Sequence, residues 1–415
     1  MSFGEISFLE QYDKAAEHEK FPLVREWMDN NPRAFFRELR KNRPVLTTPV
    51  CILVALFDDV VEVLRHHSVF TVELYFPKMG DYMLAQDDTP LHYREKAIMQ
   101  SMLNRDDLPR VRELIGTFSK ETLENAGSQI EYVNNFCRLI PALLVQQYFG
   151  LDGTDPRQLI EWSYWNQYDT FHNQPFDIVD DPDAIHAKSL KGAQEMRGYL
   201  GDLIKRKITA VQKGEHADDI VSRLLRTQFP EEVTFPLDRL ARNIGGLLIG
   251  AVETTAQAVA QILQELLRRP NVLAQAKRAV DDIAHFDSIV WEALRFNPIS
   301  PYLFRKSIAD YTLARGTDRE TVIPEGSLVL PLILSATFDE RAFSKPEKFN
   351  PDRPWLDTFH FGFGLHECLG KYIGMVMIPE MARQTLMRPG LQADSAIDFK
   401  GGPFPEHYQL SWRKR

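Results

Sequence analysis

The sequence predicts a mainly α-helical fold with a minor β portion, and three observations point to it. Apolar residues recur at helical spacing across the whole segment between Pro236 and Pro270. The texture from about Pro90 to Arg295 is almost entirely helical. After Arg295 it changes, and "TLARGTDRETVIPEGSLVLPLILSATF" brings Gly, Pro and β-branched residues at turn-and-strand spacing. The chain has 415 residues, 44% of them apolar, which is enough to bury a large core. It shows no internal repeat and no low-complexity linker, so residues 1–415 are expected to form one domain.

In chain order, "RPVLTTPVCILVALF" (43–57) reads as two strands around a Thr-Thr-Pro turn, and "VCILVALF" is short enough to be a buried strand. "DDVVEVLRHH" opens with acidic residues suited to a helix start and predicts a short helix. "EWSYWNQYDTFHNQPFD" packs six aromatics into seventeen residues, which fits a substrate lid and core packing equally. Between Pro236 and Pro270 the apolar face is broader than a surface helix needs. At 1.5 Å per residue that helix would run roughly 50 Å, a central buried helix crossing the molecule. From Gly370 onward "KYIGMVMIPEMARQTLM" returns to helical periodicity, with Pro379 marking a kink or a boundary. In the tail, "GGPFPEHYQLSW" reads as a turn followed by a strand.

Composition excludes several classes. With 49 basic and 58 acidic residues the net charge is −9, a poor match for nucleic acid, whose binding depends on Lys and Arg. The N-terminus has no positive region followed by an apolar run, and no stretch reads as long enough to span a bilayer. A cytoplasmic protein without membrane insertion is expected. Cys51, Cys137 and Cys368 are far apart and odd in number, so neither a disulfide framework nor a zinc site is implied.

One cysteine has unusual neighbours. Cys368 lies in "FHFGFGLHECLG" (359–370), just before a helix expected to start near Leu369. Backbone N–H groups at a helix start, and the dipole there, would lower a thiol pKa and favour the thiolate that binds metal or attacks electrophiles. Gly362, Gly364 and Gly370 would let the backbone turn tightly and let a flat partner approach. A buried structural cysteine beside a glycine-rich turn is the alternative. Elsewhere, Glu253 interrupts an apolar helix and must be paired or face a polar cavity. Gly250 and Ala251 leave room beside it. Glu292 and Arg295, at i and i+3, share a helix face.

Phe361, Gly364, Cys368 and Gly370 match FxxGxxxCxG, with His366 two residues before the cysteine. The string resembles the haem-binding loop of the cytochrome P-450 family, the haem-thiolate monooxygenases, whose matching cysteine is the axial ligand of the haem iron. Further stretches in the family's order extend the resemblance over nearly the whole chain. "GAVETT" (250–255) matches a small–small–x–acid–Thr pattern, which implies that Glu253 and Thr254 relay protons to dioxygen at the haem. Gly250 and Ala251 reverse the usual order of the two small residues. "EALR" (292–295) implies a buried Glu292–Arg295 pair joined by Arg353 of "FNPDRP", together holding the loop that presents the cysteine. "DDTPLHYREK" implies that His92 and Lys96 contact the haem carboxylates, with Lys96 where arginine is more usual. Arg305 and His366 match two further carboxylate-binding positions.

The resemblance implies a P-450 fold whose long central helix crosses haem b. It also implies a reaction in which one atom of O2 enters a hydrophobic small molecule and the other leaves as water. Peroxide-dependent or isomerase/lyase-type chemistry is the first rival, and a haem sensor or carrier the second. With no flavin or iron–sulfur segment after the haem region, electrons are expected from a ferredoxin and its reductase, or a flavodoxin-type donor, drawing on NAD(P)H. Lys371 and Arg383 are the candidate contacts. The family pocket maps onto Tyr75, Phe76, Tyr82, Met83, Leu247, Gly250, Ala251, Leu303 and Phe404, an apolar and aromatic lining.

Overall fold

The structure, a computed structural model, describes residues 7–215, 217–230, 232–354 and 358–414. The first expected pair of strands forms as read: Val45–Thr47 runs antiparallel to Ile52–Val54, with Leu46 opposite Leu53. Thr48 closes the turn, its hydroxyl donating to the Cys51 carbonyl and accepting from the Cys51 N–H. All of Ile52–Val54 is buried. It pairs in parallel with Leu328–Pro331, and Arg305–Ser307 and Phe70–Thr71 complete a five-stranded sheet. Tyr311–Leu313 and Thr321–Ile323 form a separate hairpin. The tail strand Gln409–Ser411 lies between Gln129–Glu131 and Gln392–Ala393. Gln129–Glu131 is a break in the stretch expected to be helical, too short for any period to register.

The central helix departs from the single straight rod. It is built of Leu237–Ala251 and Glu253–Leu267, which meet at a bend at Val252 (φ −88°, ψ −64°). The Thr254 hydroxyl donates to the Gly250 carbonyl at 2.6 Å. That side-chain bond back to the preceding turn competes with the helix ladder and bends it. Beyond the bend every residue from Thr255 to Leu266 is buried. By length and composition Leu237–Leu267 does reach a membrane span, contrary to the sequence expectation, yet 72% of its apolar window is buried inside the protein. It is the core helix. The helix Lys371–Leu386 continues through Pro379, so that residue is no boundary. Burial of Met377 to Ala382 holds the turn where the proline removes a hydrogen bond.

The aromatic segment divides its labour. Trp162 and Phe176 are buried, while Tyr164, Trp165 and Tyr168 gather with Phe404, the Tyr164 and Phe404 rings 5.2 Å apart. His172 also packs on Phe404, and burial pulls its imidazole down to about 4, with Arg25 adding to the effect. An unfolded histidine titrates near 6.5. The folded pKa is therefore depressed, and the stability of the neutral form, complete above about pH 6.5, is lost as pH falls toward about 4. At pH 5 the cost is about 2 kcal/mol. His172→Gln is expected to lose that much less stability than the wild type between pH 7 and pH 5 in urea unfolding. Asp177, pushed up to about 6 by burial, acts in the opposite sense in both proteins. Equal losses would contradict the assignment to His172.

Candidate active site

The cysteine loop is shaped by backbone bonds. Cys368 N–H donates to the Phe361 carbonyl (2.8 Å), Gly362 N–H to Phe359 (3.0 Å) and Glu367 N–H to Gly364 (3.0 Å). Gly362 and Gly364 hold left-handed φ values of 74° and 69°, which a side chain would resist. The Phe361 ring packs so closely on Gly374 that a Cβ there would lie 2.9 Å from it. The following helix starts at Lys371, with Gly370 as its cap.

Cys368 opens onto a cleft of about 1570 Å³, counting its mouth, that Gly250, Ala251, Thr254, Arg305 and His366 also line. Its accessible surface faces this cleft, so the residue is exposed by area yet deeply enclosed by protein atoms. Burial pushes the thiol up, against the pull of the Gly370 N–H, Lys96 and Lys371. The expected acidification by a helix start is thus outweighed, because the helix begins three residues beyond the sulfur. A thiolate at this place calls for a further cation, the charge that a bound iron brings.

The polar groups around the cleft fit an anionic, carboxylate-bearing cofactor. Arg305 is buried and lines the cleft, with NH1 donating to the Phe304 carbonyl. His366 shares its Nε2 with Asp87 (3.0 Å), and its Nδ1 is buried without a partner among the described residues. His92 is fully buried 5.5 Å from the His366 ring, its Nδ1 on the Met83 and Gln86 carbonyls and the Leu365 carbonyl also close enough to act on the ring. An unpaired imidazole nitrogen and a buried guanidinium are costly unless a ligand engages them. Lys96 differs from the expectation. Its ammonium clasps the carbonyls of Leu365 (2.5 Å) and Glu367 (3.0 Å), so it binds the cysteine loop itself.

The acid of the expected relay is turned away from the cleft. Glu253 is fully buried and bound by both Nε and NH2 of Arg138 at 2.9 Å. Burial still pushes its carboxyl up against the pull of Arg138. Arg138 also donates to Glu406 (3.2 Å), Asn134 (2.7 Å) and the Pro405 carbonyl (3.1 Å). Arg138 is the partner of Glu253 that the sequence reading missed. The signal was a single cation inside the apolar run "FCRLIPALL". Thr254, by contrast, lines the cleft.

The Glu292–Arg295 pair is buried and bidentate (2.7 and 2.8 Å), and Arg353 joins Glu292 at 3.6 Å. Arg295 also donates to the carbonyls of Thr337 and Pro346, and Glu292 accepts from the Asn350 N–H. The pair therefore ties down the meander that precedes the cysteine loop.

Of the expected pocket residues, Tyr75, Tyr82, Leu247, Gly250, Ala251 and Leu303 line the cleft. Three do not. Phe76 turns outward and is 53% exposed, Met83 is packed in the core with its carbonyl on His92, and Phe404 belongs to the Tyr164–Tyr168 ring cluster. Phe149, Gln167, Phe171 and Gly246 take part instead. The two candidate donor contacts are already engaged: Lys371 pairs with Glu367 (2.6 Å) and Arg383 with Glu380 (2.7 Å).

Comparison with known proteins bears on the family and the fold. The chain matches the family model for cytochrome P450 over residues 96–388. It is 26% identical over 320 residues to cytochrome P450 monooxygenase PikC of Streptomyces venezuelae, covering 76% of this chain and 70% of that one. It is 25% identical over 350 residues to cyclomarin C epoxidase CymV of Salinispora arenicola, covering 81% and 83%. The structure of cytochrome P450 CYP109Q5 from Chondromyces apiculatus shares the fold, with a TM-score of 0.76 at 20% identity and coverage of 94% and 97%. The chain belongs to the cytochrome P450 family and is a haem-thiolate monooxygenase.

Proposed function

We propose that this enzyme inserts one atom of O2 into a C–H bond of a hydrophobic small molecule, by RH + O2 + 2 e⁻ + 2 H⁺ → ROH + H2O. The observation that carries this reading is that Cys368 and Thr254 line one cleft whose walls include Tyr75, Phe149, Phe171 and Leu247. Cys368 would hold haem b, which would supply the activation of O2. Arg305, His366 and His92 hold its carboxylates, and the apolar walls orient the substrate and keep water out. The Thr254 hydroxyl, anchored on the Gly250 carbonyl, turns its lone pairs to the cleft and holds a proton donor there. Glu253 resupplies that proton after its carboxylate leaves Arg138 and takes up a proton from solvent. Glu406, on the same guanidinium, keeps Arg138 neutralised meanwhile. The chain works as one catalytic domain in the cytoplasm. Electrons come from NAD(P)H through a ferredoxin and its reductase, or a flavodoxin-type donor.

The test is turnover of a panel of apolar probes under ¹⁸O2, with a surrogate ferredoxin, its reductase and NADPH. A product carrying one ¹⁸O supports the reading, and products without label overturn it. The withdrawal of Glu253 from the cleft favours a second reading, peroxide-driven or isomerase/lyase-type chemistry. Turnover with hydrogen peroxide alone, matching the partner-driven rate, would establish its peroxide form.

Lys96 serves in this scheme as a positioning residue for the loop. Each of its charge-assisted bonds to the loop is worth about 1.5–3 kcal/mol. Lys96→Met is expected to keep its haem content while part of the reduced carbon monoxide complex moves from the thiolate to the neutral-thiol absorption band. Lys96→Arg restores the thiolate band. Loss of haem with an intact thiolate band would instead place Lys96 on the carboxylates.

A further inference from the structure

Gly246 sits inside the central helix, where glycine is less favourable than alanine. The reason lies across the cleft. A Cβ at Gly246 would stand 2.3, 2.4 and 2.5 Å from Cζ, Oη and Cε2 of Tyr82. The phenol end of Tyr82 therefore rests directly on the helix backbone, in space that any other residue would fill.

That placement is fixed from the neighbouring turn of the same helix. Arg239, Asn243 and Gly246 are spaced by four and three residues and share one face. Arg239 binds both oxygens of the buried Glu95 (2.6 and 2.7 Å) and the Asp81 carbonyl (2.9 Å), and it pairs with the Asp81 carboxylate (2.8 Å). Arg242 adds a second pair to Asp81 (2.9 Å), and Asn243 donates to Glu95 (2.7 Å). The residue next to Tyr82 is thus anchored to the helix on which the ring lies.

What these contacts hold in place is a hydroxyl. Tyr82 is 3% exposed and lines the cleft, and its Oη has no hydrogen-bond partner among the described residues. Burial pushes this phenol up, so it keeps its proton. Open to the cleft and unpaired, this O–H is free to donate to an accepting oxygen on a ligand.

We infer that the substrate is a hydrophobic molecule bearing an acceptor oxygen, a ketone, ester or ether, held by the Tyr82 hydroxyl on its Gly246 seat. This rests on the reading of the cleft as a monooxygenase substrate site. Tyr82 then selects oxygenated apolar molecules over plain hydrocarbons of the same shape.

The experiment is a spin-state titration of the haem-loaded protein with 4-phenylcyclohexanone and phenylcyclohexane, which differ by one acceptor oxygen. The ketone-to-hydrocarbon affinity ratio is compared among wild type, Tyr82→Phe and Gly246→Ala, so that differences in aqueous solvation cancel. The ratio is expected to fall about fivefold in Tyr82→Phe, the value of one neutral hydrogen bond. Gly246→Ala keeps the hydroxyl but displaces the ring and favours the helix, and it is expected to show the same fall. An unchanged ratio in both variants overturns the proposal, as does failure of the wild type to bind either probe. A protein lacking the thiolate absorption band fails earlier, at the underlying reading, before any probe is added.

Discussion

Cys368→Ser is expected to cut monooxygenase turnover by roughly three orders of magnitude, about 4 kcal/mol at the barrier. A serine hydroxyl in the same turn keeps the size and the backbone bonds but cannot push electron density onto the iron as a thiolate does. The loop itself should survive, because its form depends on Gly362, Gly364 and the Cys368 N–H rather than on sulfur. The other two thiols cannot substitute. Cys51 is buried and pushed up to about 12, and Cys137 is buried and shifted the same way. Cys51→Ser is therefore the control, with turnover and the thiolate band unchanged. Turnover by Cys368→Ser within tenfold of the wild type would contradict the assignment of the axial ligand.

The second large effect is expected at Arg295. Among the described residues, Arg295→Leu leaves the buried Glu292 carboxylate with only the Asn350 N–H at 2.9 Å and Arg353 at 3.6 Å. It also strands the carbonyls of Thr337 and Pro346. Removing one partner of a buried pair costs about 3–5 kcal/mol, mostly because the other charge is left uncompensated. Urea unfolding should show that loss, and haem content should fall with it. The double variant Glu292→Gln/Arg295→Leu should recover part of the loss, since no buried charge is then left over. A change below about 1 kcal/mol in the single variant would show that the pair does not carry the meander.

Much of this architecture was legible in the sequence. The helical period between Pro236 and Pro270 identified the core helix, because it records which face is buried, and the Thr-Thr-Pro turn between apolar runs in 43–57 identified the first strands. The cysteine loop was legible through its glycines. What escaped was set by side chains that meet across long sequence distances. The bend at Val252 comes from one Thr254 hydroxyl, which leaves the apolar period unchanged. Glu253 was correctly read as paired or facing a polar cavity, but only the fold brings Arg138, 115 residues away, against it. Lys96 was placed by position in a motif, whereas its reach to Leu365 and Glu367 depends on how the loop folds over it. Phe76 and Met83 were assigned to the pocket because they adjoin Tyr75 and Tyr82, and in short helical turns adjacent residues point to different sides.

The central claim, that Cys368 ligates a haem iron as thiolate at the foot of the cleft, is tested most directly by one spectrum. The purified, dithionite-reduced protein is measured with and without carbon monoxide. A strongly red-shifted Soret band in the wild type, absent from Cys368→Ser, is the predicted result. Haem present with its band at the position found in histidine-ligated proteins would contradict the claim, and the monooxygenase mechanism with it.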